Sequence, residues 1–133
     1  MANYEDKLPK KIRLDQLTDV ERLHLIDNKY FCMLPWTHIH AYPNGDAYPC
    51  CLADHQQSIG SMREQTIEEL WNNNAMKKLR RNMLEGKSSK TCVKCYEQEA
   101  NGWTSMRRSA NMHFGHHVKE IHNKIVNELD KII

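Results

Sequence analysis

The sequence predicts an α+β fold in which a small β-hairpin is followed by helices. Two local patterns carry this prediction. One is an Asn-Gly turn between two strand-like runs, and the other is a capped, amphipathic stretch that begins at Thr66. A third observation concerns what holds the fold together. The chain of 133 residues suits one domain, but its mean hydropathy of −0.77 predicts a thin core. The five cysteines are therefore expected to help hold the fold.

The N-terminal part, residues 1–30, is predicted to be an arm or a short helix. Aliphatic residues recur at three- to four-residue steps from Leu14 to Ile26, which is typical of one helix face. A basic stretch precedes them, from Lys7 to Arg13.

The hairpin is predicted around Asn44-Gly45, a pair that strongly favours tight turns between strands. Residues 36–42 alternate and are rich in strand formers, and residues 47–52 form the returning run. Pro49 restricts that second strand to a short stretch or to an edge, because proline donates no backbone hydrogen bond. Residues 53–65 are expected to be a polar connection.

The helix after this connection is predicted from its start signal. Thr66 can cap the free backbone amides while Glu69 reaches back, which is a capping box. Gly86 is expected just past its C-terminal end. Five apolar residues are predicted to share one face: Ile67, Leu70, Trp71, Leu79 and Met83. A second apolar stripe, from Val118 to Ile132, predicts a C-terminal helix within residues 113–133.

Charge and targeting signals narrow the class of protein. The net charge of +2 is too balanced for a general nucleic-acid binder, so nucleic acid is not expected as a partner. No apolar run is long enough to span a membrane, and the polar start does not resemble a secretory signal. We therefore expect a cytoplasmic, reducing location, where structural disulfides are rare. Five cysteines in that setting indicate metal or redox chemistry.

The cysteine spacing predicts a shared site. Cys92-x2-Cys95 is a chelating pair that fits half a zinc site, a redox pair or half an iron–sulfur site. In Cys32-x12-Gly45-x4-Cys50, the hairpin returns Cys50 toward Cys32. Four thiolates then converge, as a closed tetrahedral site or a cubane cluster requires. Neighbouring residues of a strand point to opposite faces, so Cys50 and Cys51 are not expected to serve one centre together. The four-residue spacing from Gly45 selects Cys50 as the ligand, with Cys51 as its alternative.

These residues resemble the opening of the SPASM motif and its shorter twitch version, modules that hold auxiliary [4Fe-4S] clusters in radical S-adenosylmethionine (SAM) proteins. The resemblance covers residues 31–112, which we take as the cluster-binding domain. It implies that Cys32, Cys50, Cys92 and Cys95 bind the cluster. Further matching features are Phe31-Cys32-x2-Pro35-Trp36, Tyr48-Pro49-Cys50-Cys51, Leu70-Trp71-Asn72 and Cys95-Tyr96-x2-Glu99-x2-Gly102-x2-Ser105-x-Arg107.

The departures from that family limit the expected function. No cysteine follows Cys95, so one cluster is the limit, and the catalytic Cys-x3-Cys-x2-Cys signature is absent. The chain is therefore not expected to catalyse radical chemistry alone.

It is either a free-standing auxiliary module or the front part of a longer enzyme. The resemblance implies two partners, a radical SAM catalytic domain or protein and a peptide or protein substrate. A zinc-binding structural or interaction domain is the alternative. Trp103 is expected in the core, over the cluster or against a partner.

Overall fold

The computed structural model describes residues 12–124, and within this range the fold is α+β, as predicted. Strands β1 (His40–Ala41) and β2 (Asp46–Tyr48) form the predicted antiparallel hairpin, with His40 opposite Tyr48. The turn is closed by a bond from the Gly45 N–H to the Tyr42 carbonyl at 2.9 Å. Strand β2 ends immediately before Pro49, in agreement with the expected restriction.

A third strand, β3 (Gly60–Ser61), extends the hairpin to a sheet of order β1-β2-β3. The sequence had suggested only a polar connection in this region. The strand forms because Ala47 pairs with Gly60, and the Ile59 N–H donates to the Ala47 carbonyl at 2.8 Å. These contacts fix β2, the strand that leads to Cys50.

The predicted central helix is two helices, α2 (Ile67–Trp71) and α3 (Asn74–Leu84). The capping box at its start is present, since the Glu69 N–H donates to the Thr66 hydroxyl at 3.1 Å and the Thr66 N–H to the Glu69 carboxylate at 3.2 Å. Asn73 interrupts the helix. Its side chain accepts from the Met76 N–H at 2.9 Å and donates to the Ile59 carbonyl at 2.6 Å. Asn73 is thus a new N-cap, bonded to the chain beside β3.

The break changes which side chains the helices bury. Leu70, Leu79 and Met83 are in the core as predicted, and Met76 joins them. The prediction for Ile67 was wrong, because its side chain is exposed. The end signal is confirmed, since Gly86 follows α3 with a φ of +73°.

In the described part of the N-terminal segment, residues 12–30, three short helical turns stand in place of one helix. A 3-10 turn (Leu14–Gln16) precedes α1 (Asp19–Arg22), which Thr18 and Glu21 cap as a box. A π-helical turn (Leu23–Asp27) follows and buries His24 and Leu25.

Helical segments from Lys90 onward complete the described part of the fold. A 3-10 turn (Lys90–Cys92) leads into α4 (Val93–Ala100), and α5 (Met106–Phe114) follows after a loop. A 3-10 turn (Gly115–His117) then precedes helical backbone over residues 118–124. Val118 of the predicted C-terminal stripe is fully buried, whereas Ile125, Leu129 and Ile132 lie outside the described residues.

The core lies between the segment around Cys32, helices α2 and α3, and the C-terminal helices. Its largest fully buried side chains are Phe31, Met33, Leu70, Met76, Met83 and Val118. Among the helices of the described part, none is long and apolar enough to cross a lipid bilayer.

Candidate metal centre

The predicted ligands come from three separate segments. Cys32 follows the π-helical turn and is 6% exposed. Cys50 is half-buried in the turn after β2. Cys92 ends a 3-10 turn and Cys95 lies one turn later in α4, where it is also 6% exposed. All five thiols are free, and that of Cys51 is exposed to solvent.

The four predicted ligands lie within electrostatic range of one another. Burial raises the pKa of Cys32, and the charges of Cys92, Cys50 and Cys95 raise it further. Burial, followed by the charges of Cys50 and Cys95, raises the pKa of Cys92 to about 12. Burial also raises the pKa of Cys50, with contributions from Cys95 and from its chain neighbour Cys51. Cys51 differs from these four in its exposure to solvent.

This grouping is not by itself a closed chelate. Among residues 12–124, no three or more histidine, cysteine, aspartate and glutamate side chains are arranged to hold a metal ion. The four-cysteine staple of the predicted fold class therefore stays a prediction.

Hydrogen-bond donors surround the buried sulfurs. The Leu34 N–H donates to Cys32 Sγ at 3.5 Å. The backbone N–H groups of Leu52 and Ala53 act on the Cys50 thiol in the direction that lowers its pKa, against the larger effect of burial. The Tyr96 hydroxyl bonds the Cys92 sulfur and accepts from the Ser89 N–H at 3.2 Å. Such donors favour a negatively charged sulfur, so the donor set and its surroundings fit a thiolate-bound group.

A buried ion pair connects two of the three segments. Arg107, at 6% exposure, donates from Nε to Glu99 Oε2 at 2.9 Å, and its Nη2 contacts Glu99 Oε1. Arg107 Nη1 also donates to the Phe31 carbonyl at 3.0 Å, immediately before Cys32. Although burial opposes its charge, the bonds to Glu99 raise the pKa of Arg107, so this side chain stays cationic.

A cavity of about 680 Å³ lies beside this ion pair, with Tyr30, Tyr96, Arg107 and Arg108 in its wall. Tyr30 and Tyr96 meet edge to face there, with ring centroids 5.1 Å apart. Trp103, in the loop between α4 and α5, is 65% exposed and does not belong to the core.

Sequence reasoning missed one residue that contacts this region. Asn111 of α5 is 4% exposed and bonds the backbone on both sides of Cys32. The sequence carried one signal for Asn111: it lies four residues after Arg107, and this spacing places both side chains on one helix face.

Fold and site together define a small α+β module in which a hairpin, a loop and a helix carry four thiols within electrostatic range of one another. Residues 32–96 match the SPASM family, described as an iron–sulfur cluster-binding domain. The matched segment contains all five cysteines. Neither the curated proteins nor the solved structures gave a match to this chain. Helix α5, with Arg107 and Asn111, lies outside the matched residues.

Proposed function

We propose that this chain is an auxiliary module that holds one [4Fe-4S] cluster through Cys32, Cys50, Cys92 and Cys95. The observation that carries the proposal is the proximity of these four side chains, which are more sheltered from solvent than the exposed Cys51. The match to a cluster-binding family over the same residues supports iron and sulfide as the occupant.

Each ligand has a structural reason for its position. Cys92 and Cys95 lie at the N-terminal end of α4, where the helix dipole favours negative charge on sulfur. The three-stranded sheet fixes the strand that ends before Cys50, and the core holds the segment of Cys32. When bound, the cluster supplies one-electron transfer and a cross-link between the three segments.

We infer that the module serves a radical SAM system as an accessory unit, either as a separate chain or joined to the catalytic domain. The chain carries no Cys-x3-Cys-x2-Cys signature, so cleavage of SAM would be the partner's task. The exposed Trp103 and the cavity beside Arg107 and Arg108 offer surfaces on which a catalytic domain or a peptide substrate could dock. A reducing cytoplasm suits the free thiols.

Metal analysis after anaerobic purification and reconstitution tests the cofactor. We expect about four iron and four sulfide per chain, as a [4Fe-4S] centre requires. A colourless protein with one zinc and no sulfide would overturn the cluster proposal in favour of a zinc-bound domain. Cys50→Ser and Cys51→Ser form a matched pair, since the residues are adjacent. Cys50→Ser should lose the iron and Cys51→Ser should keep it, and the reverse result would show that the ligand assignment is wrong.

The accessory role needs a separate experiment. If a radical SAM reading frame adjoins the gene for this chain, the two proteins should co-elute after anaerobic co-expression. Independent elution of the two cluster-loaded proteins would contradict the accessory role while leaving the cofactor assignment in place.

A further inference from the structure

The amide side chain of Asn111 holds the backbone on both sides of Cys32. Its Nδ2 donates to the Phe31 carbonyl at 2.9 Å, and its Oδ1 accepts from the Met33 N–H at 2.9 Å. Both bonds are buried, and Phe31 and Met33 are fully buried. The Asn111 amide therefore bonds the backbone on both sides of Cys32 as a neighbouring β-strand would.

The guanidinium of Arg107 adds a second connection one helical turn earlier on α5. Its Nη1 donates to the same Phe31 carbonyl at 3.0 Å, and its Nε donates to Glu99 at 2.9 Å. Glu99 lies four residues after Cys95, on the helix that carries that cysteine. A continuous set of buried hydrogen bonds thus joins the segment of Cys32 to the helix of Cys95.

Removal of Asn111 would leave the buried Met33 N–H without its partner, and the Phe31 carbonyl would keep only the bond from Arg107. Phe31 and Met33 are fully buried, so the segment would shift to satisfy the Met33 N–H. Removal of Arg107 would also delete a buried positive charge close to Cys32 and Cys92.

We propose that helix α5, outside the segment that the family match covers, is part of the metal centre. Asn111 positions Cys32, and Arg107 links Cys32 to the helix of Cys95 and provides a permanent positive charge beside the cluster. The role of the charge rests on the proposed function. The positioning of Cys32 does not, because it concerns the chain with or without a cluster.

Thiol alkylation of the metal-free chain tests the positioning. Cys32 and Cys95 have equal exposure, so Cys95 serves as the internal reference. Under limiting reagent, with mass spectrometry of each cysteine peptide, Asn111→Leu should raise the rate at Cys32 about tenfold and leave Cys95 unchanged. Asn111→Asp is a milder variant that keeps the acceptor for the Met33 N–H, and it should give a smaller increase at Cys32 alone. Equal increases at both cysteines in both variants, or no increase at Cys32, would overturn the positioning role.

The reduction potential of the loaded protein tests the charge. Arg107→Gln should make the midpoint potential more negative by about 59 mV, which is a tenfold change in the one-electron ratio. Arg107→Lys should restore most of this shift. Arg108→Gln is the matched control, because Arg108 also bonds Glu99, at 2.9 Å, but is largely exposed. It should leave the potential unchanged. Equal potentials in wild type and Arg107→Gln would refute the role of the charge.

The two readouts separate the two proposals. A wild-type chain that takes up no iron and sulfide under anaerobic reconstitution would overturn the proposed function and, with it, the role of the charge. The alkylation rates would still decide whether Asn111 positions Cys32.

Discussion

Replacement of Gly60 by alanine should destabilise the fold through a clash between strand β3 and the side chains of Gln65 and Leu70. Gly60 has a φ of +148°, and an added Cβ would lie 2.7 Å from Leu70 Cδ2 and 2.6 Å from Gln65 Oε1. Leu70 is fully buried, so its side chain has little space into which it can move.

The size of the effect follows from two contributions. An alanine at positive φ costs about 1–2 kcal/mol, and overpacking a buried contact costs about 1–3 kcal/mol more. We therefore expect Gly60→Ala to lower the free energy of unfolding by about 2–5 kcal/mol. Gly102 is the matched control, because its φ is +80° and an added Cβ meets nothing within 4 Å. Gly102→Ala should lower the free energy of unfolding only by the cost of the positive φ, about 1–2 kcal/mol.

Urea unfolding followed by circular dichroism measures both variants under one set of conditions. The slope of the free energy of unfolding against urea concentration should be the same for all variants, so that a shift in the midpoint reports a change in stability alone. Because β3 pairs with the strand leading to Cys50, Gly60→Ala should also lower iron retention, whereas Gly102→Ala should not. If Gly60→Ala loses no more stability than Gly102→Ala, the side chains of Leu70 and Gln65 move aside at little cost, and the predicted clash is refuted.

Three further predictions concern side chains around the core and the centre. His24 donates to or accepts from His122 at 3.0 Å, and burial, followed by the charge of His122, lowers the pKa of His24. The unfolded chain then binds the proton more readily, so stability should fall as the pH drops below about 6.5, and thermal melts should show a weaker fall in His24→Gln. Tyr96→Phe removes the hydroxyl that bonds the Cys92 sulfur and should lose about 1 kcal/mol in urea titrations, and an unchanged midpoint would count against that bond. Trp103→Ala should change stability by less than about 0.5 kcal/mol, because the indole is exposed, and a larger loss in thermal melts would contradict its placement.

Features that depend on neighbouring residues could be predicted from the sequence. The turn at Asn44-Gly45 and the capping box at Thr66 each need only a few adjacent residues, and both are present as expected. The end of β2 before Pro49 follows from the chemistry of proline alone.

Features that depend on distant contacts could not be predicted in this way. The break between α2 and α3 depends on Asn73, whose side chain bonds a carbonyl 14 residues earlier. Strand β3 exists only because Gly60 meets Ala47 of the hairpin. Neither partner is visible in a local pattern.

The same division holds at the candidate site. Spacing predicts four cysteine ligands and prefers Cys50 to Cys51, an assignment that stays a prediction; in the structure Cys51 is exposed while Cys50 is half-buried. The bonds of Asn111 to the segment of Cys32 connect residues 78 and 80 positions apart, and no periodicity records such a contact.

The distance between Cys32 and Asn111 along the chain has a consequence during protein synthesis. The ribosome releases Cys32 before the helix that holds its backbone exists. At translation rates of about 5–20 residues per second, the 80 positions from Phe31 to Asn111 take roughly 4–16 s. During that interval the thiol of Cys32, joined later by those of Cys50 and Cys51, belongs to an incomplete chain that lacks helix α5. Delivery of iron and sulfide is therefore expected after the C-terminal helices have been made, as a late step in the maturation of the protein.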